Sequence, residues 1–397
     1  MIGALRASGE FAVRLAACRD IPEAAWDDLQ RRAGPAHPHF SRHVMAAHGR
    51  AGLLPDDLRI LMISRGGQLE ALLPFLLRRD VSALGGLVAR PFLTPYITAT
   101  EPLVAAGEGR DAVLDRLAEG LAAASDGGVW RWALLAAGSG AGAGLLGALR
   151  RAGWEHDAVS RFERPVLDRS SNWEAFLAGH PHRSRFKDLR RRARRLGETG
   201  RLTVESATDA AGLGRLLEAF LVLEKAGWKG RAGTALACRP QTESLGRALF
   251  GAADGPVAGR ADALLLDGAP IAISLALACS GTASLLKTAY DERLRNCAPG
   301  LLLEAEIIRL CHETGFVDRL DSATLPGSPL ESLYPGRETI AEVIALPPGS
   351  RGLPLERRLR LARFEQRGRE AARHLRPAFR RPGGAEAATK ADAPRGG

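Results

Sequence analysis

The chain states one series of elements twice, and that repeat limits the folds open to it. "FAVRL" (11–15) is a short alternating run ahead of an amphipathic stretch at 21–32, and "LTVES" (202–206) stands ahead of another at 209–226. "LRILMISRGGQLEALLPFLL" (58–77) reads as strand, Gly-Gly turn, strand; "ADALLLDGAPIAISLALA" (261–278) reads the same way around Asp-Gly. Such two-residue turns join the antiparallel strands of a hairpin. "PYITATEPLV" (95–104) then precedes a helix at 110–124, as "ASLLKTAYD" (283–291) precedes one at 301–314. "VWRWALLAA" (129–137) and "VDRLDSAT" (317–324) close the two series as strands. Each copy is β-α-β-β-β-α-β, with a further helix or strand at its end. The chain therefore specifies an α/β fold of mixed sheets, duplicated in tandem. The expected regions are a first half at 10–165, a second at 166–346 with a linker at 164–184, and at 347–397 a basic, exposed helix followed by a disordered tail.

With 397 residues, 46% of them apolar, the chain is long enough for two cores. Its net charge of +10 is uneven: residues 183–197 carry +7, residues 351–381 carry +8, and the rest carries −5. A mildly acidic body with two basic appendages is unlike a globally basic nucleic-acid binder. Five scattered cysteines with no CxxC pair read as reduced thiols, and neither a signal-peptide core nor an 18-residue apolar run occurs. The expectation is a cytoplasmic protein.

"RSRFKDLRRRARRLG" (183–197) puts Phe186, Leu189, Ala193 and Leu196 on one helical stripe and Lys187, Arg190, Arg191, Arg194 and Arg195 on the remainder. It is either a solvated arginine face or a contact for a polyanion: a nucleotide-bearing cofactor, an acidic carrier, a tRNA or an anionic membrane surface. Its single aromatic, Phe186, argues against stacking of single-stranded nucleic acid.

A second feature lies at 285–315. A strand ends near Asp291, a loop follows, and Pro299-Gly300 opens a helix whose Leu303, Ile307 and Leu310 share a face. Free amides near Gly300 to Leu303, with the positive end of the helix dipole, make an anion site over which Arg295 can close. "RNCAPG" (295–300) resembles the pyrophosphate loop of GNAT-type acyltransferases, Arg/Gln-x-x-Gly-x-Gly/Ala, with Ala298 where the first Gly is usual. The basic helix, "EKAGWKGRAGTAL" (224–236), "LLKTAYDE" (285–292) and the Ala-Pro-Gly helix start occur in one order. That set resembles the bacterial Fem-like and cellulose-biosynthesis (CelD-like) acetyltransferases, which look like two fused GNAT units. The resemblance implies an acyl-CoA co-substrate, acetyl-CoA in the first instance, at Arg295, Ala298, Gly300 and Leu301. It implies no metal. It points to a small-molecule or glycan-precursor acceptor for envelope or exopolysaccharide synthesis. In Fem-type enzymes the donor is an aminoacyl-tRNA, which gives an alternative. In the first half the equivalent turn, "AAGEGRD" (105–111), carries Glu108 and Asp111, which would repel a phosphate. The donor is therefore expected in the second half, with the first half holding the acceptor or serving as scaffold.

Acyl transfer needs a neutral nucleophile, a polarised thioester and a proton for the leaving thiol. If the fourth and fifth strands splay, Lys287, Tyr290 and Asp291 on the fourth and Asp321 on the fifth surround the donor. Asp321 and Asp291 are candidate bases, Tyr290 the candidate acid, and Lys287 a contact for an acceptor carboxylate or phosphate; the alternatives are a loop cap for Asp321, a core filler for Tyr290 and a surface lysine for Lys287. Trp228 and Lys229, with Arg231, form a further wall and anion contacts. A non-catalytic fold that docks through its basic helices is the remaining alternative. Three features are set aside. "GSGAGAGLLG" (138–147) imitates a dinucleotide fingerprint but lies late in its half without the acidic partner. His37, His39, His43 and His48 lack a carboxylate partner and are expected on a loop-to-helix surface. Cys297 reads as a loop filler.

Overall fold

Gly66 and Gly67 take φ of 56° and 85° at the first expected hairpin, and Asp267 and Gly268 take 50° and 80° at the second. These left-handed pairs reverse the chain in two residues, and each half is built outward from its hairpin. The computed structural model describes residues 3–8, 10–34, 36–170, 172–251 and 255–375; the last twenty residues, expected to be a disordered tail, lie outside them. The first half runs β1 (Gly3–Ser8), β2 (Phe11–Ala16), α1 (Glu23–Arg32), α2 (Arg42–Arg50), β3 (Arg59–Arg65), β4 (Gln68–Arg79), β5 (Leu87–Pro91), β6 (Leu103–Val104), α3 (Arg110–Ala124), β7 (Trp130–Ala136), α4 (Gly140–Arg151) and β8 (Glu155–Asp168). Then follow α5 (Trp173–Gly179), α6 (Arg183–Gly197), β9 (Leu202–Ala207), α7 (Ala210–Ala226), α8 (Trp228–Arg231), α9 (Pro240–Leu249), β10 (Ala258–Leu266) and β11 (Ala269–Cys279). The chain continues through β12 (Thr282–Tyr290), α10 (Pro299–Thr314), β13 (Arg319–Asp321), β14 (Gly336–Leu346) and α11 (Leu355–Leu375).

All these strands belong to one mixed sheet, in the order β1-β2-β3-β4-β5-β7-β14-β8-β13-β12-β11-β10-β9, with β6 on β4. The centre of that order is an exchange. β8, the last strand of the first series, pairs with β13 of the second. β14, the last strand of the second, pairs with β7 of the first. The two exchanged strands pair with each other from Glu155↔Leu346 to Val166↔Gly336. Residues 164–168, expected as linker, are thus strand, and the boundary expected at 165/166 falls inside β8. The fourth strand of the first half also differs from expectation: β5 takes its place beside β7, and only Leu103 and Val104 of "PYITATEPLV" are strand. Residues 92–102 leave the sheet between them.

The glycines of "GSGAGAG" are packing residues. A Cβ on Gly142 would stand 2.0 Å from the Ala136 carbonyl oxygen, and one on Gly144 2.8 Å from Leu114 Cδ1. They let α4 close on the end of β7 and on α3. The four histidines expected at the surface are buried instead. His37 and His39 bond to Glu101 O and Thr98 Oγ1, His48 to Thr94 Oγ1, and His43 to Leu249 O across the halves. Each buried ring thereby has a polar partner, on residues 92–102 or, for His43, at the end of α9.

The exposed helix expected within 347–397 forms at Leu355–Leu375 and is docked along one edge. Leu359 and Ala362 are buried with Val159 and Ile344, and Arg363 donates to the carbonyls of Ala158 and Val159 at 2.9 and 3.2 Å. Arg131, 2% exposed, meets Asp80 at 2.9 Å, Glu342 at 2.6 Å and Glu365 of α11 at 2.8 Å. On α11 itself Arg358 is buried, while Arg357, Arg360, Arg363, Arg367 and Arg369 stay exposed, so the helix docks by one edge and keeps its basic face toward water. Arg131→Ala leaves three carboxylates around an emptied site. It should cost about 3–5 kcal/mol, read as a lower urea midpoint at unchanged slope.

Candidate active site

β12 and β13 pair in parallel at three positions only, Thr282, Ala283 and Ser284 against Arg319, Leu320 and Asp321. Past Ser284, β12 continues along β11 to Tyr290. Past Asp321 the chain turns away through Ala323, at φ 52°. Asp321 Oδ1 fixes that turn by accepting from Ala323 N at 2.8 Å. The strands therefore splay as expected, and between them opens a cavity of about 770 Å³.

Eight of the ten expected site residues line it: Lys287, Tyr290, Trp228, Lys229, Arg295, Ala298, Gly300 and Leu301. α10 begins at its edge. Ala298 is left-handed, at φ 54° and ψ 53°, and Pro299 follows at the first helical position. The amides of Leu301 and Leu302 both turn back onto Ala298 O, at 2.9 and 3.0 Å, so fewer amides are free than the sequence suggested. Gly300 leaves the backbone bare: a Cβ there would stand 3.4 Å from Tyr290 Cδ1. Arg295 is exposed at the mouth. The first half supplies part of the wall, because residues 92–102 carry Pro95 and Tyr96 to it.

The expected basic helix is α6, with Phe186, Leu189 and Leu196 buried. Lys187, Arg190, Arg191, Arg194 and Arg195 are exposed. Arg192 Nη1 donates to Asn296 O at 2.5 Å, which seats the charged helix against the 295–300 loop.

Two buried carboxylates that the sequence reading passed over organise the cavity. Glu224, 2% exposed, accepts from Lys287 Nζ at 2.7 Å and Leu236 N at 2.7 Å, and lies 3.4 Å from Lys229 Nζ. Lys229 also donates to Thr288 O at 2.7 Å. Burial lowers the Lys229 pKa, against the pull of Glu224. Two ammonium groups thus share one carboxylate, and that wall keeps one excess positive charge. Glu304, also 2% exposed, lines the cavity from α10 and accepts from the Tyr334 hydroxyl at 2.5 Å. Burial pushes its carboxyl up to about 7, with the Tyr334 bond acting the other way. Both had a sequence signal: each is an acid on the apolar stripe of its helix, after Leu217, Phe220 and Leu221 or between Leu303 and Ile307.

Two expected residues stand elsewhere. Asp291 caps the turn Glu292–Cys297 through Arg293 N and pairs with Arg293 Nη2 at 2.7 Å, which holds its carboxyl below the usual range. Asp321 directs Oδ2 to Arg164 at 3.4 Å and faces a different cavity. Arg231 is taken up by Glu292 at 2.6 Å. Cys297 is half-buried at the edge of the core.

The native state keeps the Glu304 proton up to about pH 7, whereas the unfolded chain releases it in the ordinary carboxylate range. The stability this contributes is complete below that range and is lost as the pH rises to about 7. Glu304→Gln should match the wild type at about pH 4 and exceed it at about pH 8 by on the order of 3 kcal/mol, in urea titrations at fixed pH.

Residues 183–327 match the acetyltransferase (GNAT) domain family. No curated protein matches the chain. Among solved structures it is similar to the C-terminal domain of a putative lysylphosphatidylglycerol synthetase from Agrobacterium fabrum, at 14% identity, with 82% of this chain and 91% of that one covered and a TM-score of 0.52. It is similar to FemX at 11% identity, with 83% and 96% covered and a TM-score of 0.50. A tandem GNAT protein from the clavulanic acid biosynthesis pathway aligns at 16% identity over 86% of this chain and 100% of its own, with a TM-score of 0.41. The match to the GNAT-type acetyltransferase domain lies within the second half, and the chain as a whole has the mixed α/β fold of the first two of these structures.

Proposed function

We propose that the chain transfers an acyl group, acetyl in the simplest case, from acyl-CoA to an amine or hydroxyl of a small-molecule or glycan-precursor acceptor of envelope or exopolysaccharide synthesis, in the cytoplasm. The observation that carries this is the convergence of Tyr290, Arg295, Ala298, Gly300 and Leu301 on one cavity between parted strands. The pyrophosphate would lie at the start of α10 with Arg295 over it, and the exposed arginines of α6 would meet the nucleotide end. Residues 166–346 hold the donor, and residues 10–165 add Pro95 and Tyr96 to the acceptor side. The excess positive charge of Lys229 and Lys287 over Glu224 suits an acceptor that bears a carboxylate or phosphate.

The acceptor nitrogen or oxygen attacks the thioester carbon, the C–S bond breaks, and the thiolate leaves with a proton. Glu304, held near neutrality, is the group we assign to take the proton that the nucleophile sheds. Tyr290 is assigned to return one to sulfur. Asp291 and Asp321, bound to Arg293 and Arg164, act as pins for the loops beside the cavity. The arginine face of α6 beside the 295–300 loop also favours a second reading, with aminoacyl-tRNA as donor.

The test is thermal unfolding with acetyl-CoA, longer acyl-CoAs and free CoA. At a hundred times its Kd a ligand adds about 2.7 kcal/mol to the native state. The shift should vanish in Arg295→Ala and Gly300→Asp. No shift with any of them sinks the CoA reading, and salt-dependent tRNA binding lost on charge reversal of α6 would put the second in its place.

A further inference from the structure

The first half has parted strands of its own. β5 touches β7 at Ala89↔Trp130, β6 has moved across to β4, and between β6 and the end of β7 lies a cavity of about 330 Å³. By the internal repeat it corresponds to the cavity beside Tyr290: α3 begins at its mouth with Arg110, as α10 begins at the other. Its size is at the small end for ligand pockets.

Its charges do not cancel in place. Arg319 is satisfied by Asp168 at 2.9 Å and Glu338 at 2.6 Å, and Glu338 also accepts from Ser139 Oγ at 2.9 Å. Arg164, 2% exposed, gives Nη2 to Thr98 O at 2.6 Å and Nη1 to Asp321, but its buried Nε has no partner. The buried Nε of Arg110 and the buried Oε2 of Glu101 have none either. Arg110 and Glu101 line the same cavity, and among the described residues neither forms an ion pair. Unmet charged atoms out of reach of water are costly. A half-buried cation and a half-buried anion, neither in an ion pair among the described residues, line one small cavity and complement a ligand that carries both charges.

We propose that this cavity binds a free α-amino acid, its carboxylate on Arg110 and the Nε of Arg164, its ammonium on Glu101. The inference stands on this cavity alone and holds whether or not the other one takes acyl-CoA.

The experiment is isothermal titration calorimetry of the full chain with glycine, L-alanine, L-norleucine and L-glutamine, and with hexanoate and pentylamine as single-charge counterparts of norleucine. At least one amino acid should bind saturably, with hexanoate and pentylamine silent. Arg110→Gln and Glu101→Gln, with far-UV spectra like the wild type, should each weaken that binding about tenfold or more. Silence from every amino acid would mean that the cavity holds water only and overturns the proposal. Unchanged affinity in both variants overturns it as well. If a variant fails to fold, the wild-type comparison decides: hexanoate or pentylamine binding as tightly as the amino acids overturns it, and amino acids alone binding supports it.

Discussion

The ladder between β8 and β14 is the constraint on which the molecule rests. Eleven positions pair along it, and each strand has its second edge in the sheet of the opposite half. Neither strand lies at the end of the sheet order; β13 covers β8 at Val166, Leu167 and Asp168, and Arg363 of α11 meets the carbonyls of Ala158 and Val159. Because the strands are exchanged, a side chain from one half sits where the other half needs it. Arg164 on β8 reaches Asp321 on β13, Glu338 on β14 reaches Ser139 beside β7, and both cavities draw on both halves.

What the sequence disclosed is local. Turn chemistry marked the hairpins at 66–67 and 267–268, and periodicity marked α3, α6 and α10, because those signals depend on neighbours a few residues away. The exchange depends on residues about 180 apart in the chain. β8 also disguises itself: "EHDAVSRFERPVLD" holds charges and Pro165, and reads as connection rather than as a central strand. The arginines of α11 concealed docking, since the groups that seat the helix, Arg131 on β7 against Glu365 and the carbonyls of Ala158 and Val159 against Arg363, are brought to it only by folding. In the site, motif reading found the residues on the 295–301 loop and on β12. It missed Glu224 and Glu304, whose partners Lys287 and Tyr334 are brought to them only by folding.

Those two carboxylates show how surroundings decide a group's behaviour. Both are 2% exposed. Glu224 has two lysines and an amide around it, so its charge is compensated and it serves as a fixed post between β12 and α8. Glu304 has a phenol and, among the described residues, no ion pair, so burial raises its proton affinity to about neutral pH. One residue type, at equal depth, becomes a pin in one place and a carboxyl held protonated to about neutral pH in the other.

The exchange also has a consequence during synthesis. β7 leaves the ribosome with its outer edge bare, and the strand that covers it, Gly336–Leu346, is made about two hundred residues later. At 5–20 residues per second the wait is on the order of tens of seconds. Over that interval the nascent first half carries an open edge, Trp130 to Ala136, with Trp132 and Leu135 among its residues. A translation product that stops before Gly336 would keep that edge for good, so this architecture ties the solubility of an early product to the synthesis of residues 336–346.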